Sequence, residues 1–267
     1  MKSKFTKVAI LIISQIFFLT SICLSKQTGS ITAKSVLVMD ADKGIILYEL
    51  NPYQKLPAAS TVKVLTGLLA AQELKGSELV SISKRAEGIA PTKLYLTHGT
   101  QYKAEDMIKC ILINSANDAG VALAEAISGT EIKFSVFMNT KAKELGAKKS
   151  FFLNATGLPE GKKRQYSTAY DLCVFMRHAL KYPDLVNYMK IKNTVITGTD
   201  GRQIELRNHN KMLWRQANTL IGKTGYTRRA GHCFLGMFTR GKKKYLVAVL
   251  GSRKIWNDLE YLTKRRY

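Results

Sequence analysis

The apolar positions of this chain change period along its length. Val36–Met39 and Ile45–Tyr48 are short apolar stretches on either side of Asp42-Lys43-Gly44, the pattern of two strands joined by a turn. From Ser60 to about Leu74 the spacing lengthens. Val62, Val64, Leu65, Leu68 and Leu69 fit one face of a helix. Leu79-Val80-Ser81-Ile82 reads as a short strand running into a charged turn. A mostly helical stretch extends from Ala104 to Met189, with helices predicted over Glu105–Ile113, Asp118–Ile127, Glu131–Leu145 and Thr168–Leu180. Gly146, Gly157, Pro159 and Pro183 punctuate it. The pattern then returns to strands over Leu220–Thr227, Cys233–Arg240 and Tyr245–Leu250, with the last hairpin turn at Gly241-Lys242-Lys243 and a closing helix at about Trp256–Lys264. Strands at both ends and helices between them predict an α/β fold. One antiparallel sheet is assembled from distant segments and flanked by helices, and a helical lobe of about residues 75–190 is inserted into it. No internal repeat or low-complexity segment stands out.

Composition narrows this picture. The chain has 267 residues and 46% hydrophobic content, enough for one large domain or two interlocked lobes. Lys2, Lys4 and Lys7 precede an apolar run from Val8 to Leu19, followed by small and polar residues up to Ser25. This is the form of a secretory signal over residues 1–25, with residues 26–267 as a single domain. Cleavage near Ser25 lacks a clean Ala-x-Ala, so an uncleaved membrane anchor is the competing reading. The expected location is exported, in a periplasm or on the outer face of the cell membrane.

The formal charge is +23, and three of those charges lie in the predicted signal. Such a balance suits nucleic acid, but export argues against that partner. Two readings remain: solvated faces, or electrostatic contact with anionic membrane or wall polymer. After the signal, three cysteines remain, Cys110, Cys173 and Cys233. An odd number does not make a disulfide framework, and all three sit in apolar stretches as small hydrophobes. His98, His178, His209 and His232 are scattered, and no His/Cys cluster has metal-ligand spacing. No metal or other cofactor is expected.

The chemistry is concentrated in three short motifs: Ser60-Thr61-Val62-Lys63, Ser115-Ala116-Asn117 and Lys223-Thr224-Gly225. They supply a serine nucleophile, a lysine to take its proton, a second hydroxyl and a cationic edge for an anionic substrate. A Ser-x-x-Lys match is weak alone, and Ser81-Ile82-Ser83-Lys84 is a second one. Context separates the two. On a helix, Lys63 lies one turn from Ser60, whereas residues three apart on a strand point to opposite faces. Ser81 is therefore read as a surface residue. The bland alternatives are that Ser60 and Ser115 are helix caps and Lys223 a solvated strand-edge lysine. The shared order and the gaps of 55 and 108 residues between motifs outweigh them.

With these motifs the chain resembles the D-alanyl-D-alanine carboxypeptidases, the low-molecular-mass penicillin-binding proteins, from about Ser35 to Gly251. Asp40-Ala41-Asp42-Lys43-Gly44, Leu56-Pro57-Ala58-Ala59-Ser60, Asn154-Ala155-Thr156-Gly157-Leu158 and Ser167-Thr168-Ala169-Tyr170-Asp171-Leu172 match further family segments. The third motif continues as Tyr226-Thr227, with Ala230-Gly231 after it. The resemblance implies the β-lactamase/penicillin-binding-protein-like transpeptidase fold. It also implies hydrolysis of the last D-Ala–D-Ala bond of a peptidoglycan stem peptide through an acyl-Ser60 ester, with β-lactams as covalent inhibitors. In that reading Ser60 is the nucleophile and Lys63 its base, with a pKa lowered by burial and by Lys223. Ser115 relays the proton, and Asn117 holds Lys63 and the substrate backbone. The backbone N–H groups of Ser60 and Tyr226, beside Gly225, form the oxyanion hole. Lys223, Thr224 and Thr227 bind the terminal carboxylate. Larger family members carry a further β-rich domain, and the sequence after the third motif predicts none here.

Two enzymatic alternatives share these motifs. A class A β-lactamase needs a glutamate four residues before an asparagine. The position four before Asn154 is Ser150, so slow antibiotic turnover is expected. A D,D-endopeptidase cutting wall cross-links has the same fold and motifs. A non-enzymatic wall-binding module would have no need to keep all four reactive side chains.

Overall fold

The computed structural model describes residues 31–215 and 220–267. The predicted signal and its cleavage site lie outside the described residues. In chain order the elements are β1 (Ser35–Asp40), β2 (Ile46–Leu50), α1 (Lys63–Glu73), β3 (Leu79–Ser81), α2 (Lys84–Gly88), β4 (Gln101–Lys103), α3 (Ala104–Lys109), α4 (Asn117–Ser128), α5 (Glu131–Glu144), α6 (Ala169–Ala179), α7 (Pro183–Lys190), β5 (Asn193–Thr197), β6 (Gln203–Arg207), β7 (Ile221–Thr227), β8 (Gly231–Arg240), β9 (Lys243–Ser252) and α8 (Ile255–Lys264).

The main sheet has five strands in the order β2-β1-β9-β8-β7. Every pairing in it is antiparallel. β1 inserts beside β9, so the first and last strands of the chain are neighbours, as the predicted long-range assembly requires. Strand periodicity explains the layering. Leu37, Met39, Leu246, Ala248 and Leu250 join the large core with the helices of the middle segment. Val36, Val38, Tyr245, Val247 and Val249 point the other way, onto Ile255, Leu259 and Leu262 of α8. The central strands are buried on both faces, which is why they read as continuous apolar runs rather than as strict alternation. In the large core, α1 is buried at every position from Lys63 to Ala70. A helix hydrophobic on all sides belongs in the middle of a core.

The predicted helices and the sheet strands occur within a few residues of their expected bounds. Four elements had no counterpart in the periodicity: α2, β4 and the two strands of the β5–β6 hairpin. The hairpin's partners alternate exposed and buried positions over only five residues a side, a signal easily hidden by the longer helical periodicity before it. Pro183 does not end the helical stretch but starts α7, where its missing N–H costs nothing. Among the described residues, no helix is long and apolar enough to cross a membrane.

Candidate active site

Ser60 sits in a single 3-10 turn, Ala59–Val62, that feeds directly into α1. Neither the turn nor α1 has a side-chain cap, so Ser60 is not acting as one. Ala59, immediately before it, has φ +47°. A non-glycine residue held there costs conformational energy and needs surrounding structure to fix it. That structure is Gly157, itself at φ +80°, where a Cβ would stand 2.1 Å from the Ala59 carbonyl oxygen. Only glycine lets the 154–158 segment close on the turn that carries Ser60.

Lys63 is fully buried beneath Ser60. Its Nζ lies 3.0 Å from Ser60 Oγ, 2.7 Å from Asn117 Oδ1 and 2.9 Å from the Thr156 carbonyl oxygen. The Asn117 amide is oriented by its own donation, Nδ2 to the Ala90 carbonyl at 3.0 Å, which turns Oδ1 toward the lysine. Thr156 is presented by a local Asn154 turn, in which Asn154 Oδ1 accepts from the N–H groups of Thr156 and Gly157. The sequence singles out the Asn154–Leu158 segment without giving it a role. A backbone carbonyl leaves no side-chain signature, so the Thr156 contact could be found only in three dimensions.

Ser115 comes directly after a π-helical turn, Cys110–Asn114, and takes a left-handed conformation with φ +65°. One extra residue in a helical turn re-aims the next part of the chain, a device often found at functional sites. Ser115 therefore ends one turn rather than capping the next; the residue before α4 is Ala116, and α4 has no side-chain cap. Asp118 secures the same corner, accepting from the N–H groups of Leu94, Leu96 and Ala119.

β7 is the edge strand of the sheet and packs against the Ser60 turn. A Cβ at Gly225 would stand 3.0 Å from the Ser60 amide nitrogen, so glycine permits the close approach of strand and turn. A cleft of about 270 Å³ opens here, lined by Ser60, Ser115, Thr224, Gly225, Tyr226 and His209, among others. Lys223, next to Thr224 on β7, is buried, its Nζ donating to the Thr224 carbonyl at 2.7 Å. Tyr226 is exposed, with its ring 4.6 Å from that of His232 on β8. Thr227 does not join this group. It is four residues along the strand from Lys223, roughly 13 Å at strand rise, and its Oγ1 accepts from Ala230 N in the hairpin turn. Thr227, expected to share the substrate carboxylate with Lys223, lines a second niche rather than the cleft around Ser60.

Burial in this site works against positive charge. It holds Lys63 well below the ordinary lysine range, and the neighbouring Lys223 pushes the same way. Burial brings Lys223 down to about 7. His209, to which the sequence assigns no role, is lowered to about 4 by burial, then by Lys223 and Lys63, so it is neutral beside them at neutral pH. The two asparagines flanking it anchor its chain segment: Asn208 Nδ2 donates to Ile191 O at 2.8 Å and Asn210 Nδ2 to Leu220 O at 3.0 Å. The β5–β6 hairpin delivers this segment, and its weak periodicity leaves His209 without a signal in the sequence.

The second Ser-x-x-Lys match has no such setting. Ser81 is exposed on β3 and accepts from Gln101 Nε2, while Lys84 starts α2. Cys110, Cys173 and Cys233 are buried free thiols. Among the described residues no group of three or more His, Cys, Asp or Glu could hold a metal ion.

A buried lysine against a serine hydroxyl, beside an edge strand with a second buried lysine, is an arrangement suited to nucleophilic acyl chemistry. The chain belongs to the D-alanyl-D-alanine carboxypeptidase family, whose model matches residues 23–254. It is 34% identical over 239 residues to the D-alanyl-D-alanine carboxypeptidase DacF of Bacillus subtilis (strain 168), covering 85% of this chain and 61% of that one. The chain thus spans about three-fifths of that relative's length. Among solved structures it is similar to a D-alanyl-D-alanine carboxypeptidase from Mycobacterium tuberculosis H37Rv, with TM-score 0.83, 27% identity and coverage of 88% of this chain and 90% of that one. It is also similar to penicillin-binding protein D2 from Listeria monocytogenes in its ampicillin-bound form, with TM-score 0.76, 28% identity and coverage of 88% and 96%.

Proposed function

We propose that the protein is a serine-type D-Ala-D-Ala carboxypeptidase that removes the terminal D-Ala from peptidoglycan stem peptides and is acylated by β-lactams. The observation that carries this reading is the set of three acceptors around Lys63 Nζ. A neutral amine has two N–H groups and one lone pair. Asn117 Oδ1 and the Thr156 carbonyl only accept, so they take the two N–H groups. When Lys63 gives up its third proton, the lone pair falls to the Ser60 hydroxyl, which then donates to Nζ in reversal of the Nζ-to-Oγ donation. This is the arrangement that a general base for serine needs.

In the proposed reaction Ser60 Oγ attacks the carbonyl carbon of the penultimate D-Ala as its proton passes to Lys63. The backbone N–H groups of Ser60 and Tyr226 hold the oxyanion; one such donor is worth about 2.7–4 kcal/mol in comparable sites. The C–N bond breaks as Ser115 relays a proton to the departing amine of D-Ala, leaving an ester on Ser60. Water adds to that ester, gives a proton back through the same groups and releases the shortened peptide. Asn117 aligns the substrate backbone. Lys223 and Thr224 receive the terminal carboxylate, and His209 lines the same end of the cleft.

A wall substrate requires the outer side of the cell membrane, which agrees with the signal-like N-terminal sequence. The +23 charge would favour approach to anionic wall polymer or lipid. Ser150, at the position of a β-lactamase glutamate, is committed to Asp171 and Ser167, so the penicilloyl ester should be long-lived.

Mass spectrometry of purified protein incubated with monomeric and cross-linked muropeptides tests this reading. Loss of one alanine from pentapeptide monomers is expected, whereas splitting of dimers alone would assign an endopeptidase. Ser60→Ala should abolish both alanine release and labelling by a fluorescent penicillin. Persistent labelling of that variant would defeat the assignment.

A further inference from the structure

A second, narrow niche shares the turn that carries Ser60. Its apolar walls include Pro57, Val62, Phe152 and Pro159, and its rim carries Lys163 and Arg229. Thr227 lines this niche, whereas Thr224, Gly225 and Tyr226 line the catalytic cleft. β7 therefore runs from one cavity to the other. Its outer edge is unpaired in the sheet, and an exposed edge can take an extended peptide as an added strand.

The site sets the direction of such a peptide. If its C-terminal carboxylate is at Lys223 and its scissile carbonyl at Ser60, beside Gly225, the chain runs antiparallel to β7. The residue before the D-Ala-D-Ala pair then reaches Thr227 and the niche. Lys163 and Arg229 are both exposed. Among the described residues neither belongs to an ion pair. Lys162, Arg164 and Arg228 add to the positive field, and Lys55 lies 4.9 Å over the ring of Tyr166, another residue of the lining. Glu160, the acid of the same loop, contributes to the field at Arg85. Apolar walls beside two cations that form no ion pair suit a short hydrocarbon arm lying across the mouth of the niche and ending in a carboxylate, and they disfavour one ending in an ammonium group alone.

We infer that Lys163 and Arg229 form a specificity site for a side-chain carboxylate on the residue immediately before the D-Ala-D-Ala pair. The enzyme thereby selects stem peptides whose third residue is a diamino-dicarboxylic acid over those with lysine. The inference rests on the carboxypeptidase reading and deepens it.

The test uses three acetylated tripeptides, X-D-Ala-D-Ala, in which X is diaminopimelate, its side-chain carboxamide, or lysine. Released D-Ala gives kcat/KM for each. The acid should be cleaved about three- to tenfold better than its amide, the range expected of charge-assisted contacts at a partly exposed site. Lys163→Gln with Arg229→Gln should bring that ratio to about one. Lys163→Glu with Arg229→Glu should invert the preference in favour of lysine, which a merely structural role would not do. Both positions are exposed, and unchanged melting temperatures would establish that the variants are folded. Equal cleavage of acid and amide by the unaltered protein, or a preference that the variants leave in place, overturns the specificity site while the carboxypeptidase reading stands. Cleavage of none of the three peptides, with no penicilloyl adduct on Ser60, overturns both.

Discussion

At the scale of single residues, the proposed reaction depends on two lysines whose useful states are opposite. Lys63 acts as a base only when neutral, so activity should be gained as pH rises through its depressed pKa. Lys223 binds a carboxylate only when charged, so activity should be lost as pH rises through its own, about 7. The pH profile of kcat/KM is expected to be bell-shaped, with its alkaline limb near neutrality. A bound carboxylate favours the charged lysine, so the same limb in kcat should lie at higher pH. Arginine stays charged throughout this range. Lys223→Arg should therefore remove the limb near 7 even if it lowers the maximum rate. Steady-state rates from about pH 5 to 10 decide this; an alkaline limb that survives in the arginine variant would assign it to another group. His209 is neutral at these pH values and does not contribute a limb of its own.

At the scale of elements, catalytic geometry is held by contacts between backbones. The Ser60 turn is clamped between the 154–158 segment and β7; the first contact requires glycine and the second is tight for any larger residue. At Gly157 an added Cβ meets the Ala59 carbonyl, and the positive φ adds about 1–2 kcal/mol for any L side chain. Gly157→Ala should force the turn away and take the Thr156 carbonyl from Lys63. The expected outcome is a fall in penicillin acylation rate of at least about tenfold, together with lower thermal stability. Gly146→Ala is the comparison: it also has positive φ, but an added Cβ meets nothing within 4 Å. It should lose stability without the kinetic effect. Stopped-flow acylation with a chromogenic β-lactam measures the difference, and equal acylation rates in the two variants would count against the clamp.

At the scale of the whole molecule, the sheet separates two cores with different duties. Leu65 lies in the large core on α1, the helix that begins at Lys63, whereas Leu262 lies in the smaller core on the far end of α8. Both side chains are fully buried, and either truncation to alanine should cost about 2–5 kcal/mol. Urea unfolding measures that cost. Only Leu65→Ala should also alter acylation by the folded protein, because it loosens the packing of the helix that carries Lys63. This division is partly legible in the sequence. An unbroken apolar run in Val36–Met39 and a helical period in Val62–Leu69 arise from local geometry, and they announce the strands and α1. Ser60, Lys63, Ser115, Asn117 and Lys223 are legible because reactive side chains at motif spacing are unusual. The short β5–β6 hairpin is not, and His209 is hidden with it. What the sequence alone determined is the set of elements and the inventory of reactive groups, since both are written in side chains near one another along the chain. Tertiary structure alone decided that a carbonyl at Thr156 completes the setting of Lys63, that Thr227 faces a different cavity from Thr224, and that two lysines are buried close together. Each of these depends on segments from 93 to about 170 residues apart being packed together, and burial, which disfavours charge on both lysines, does not exist until they are.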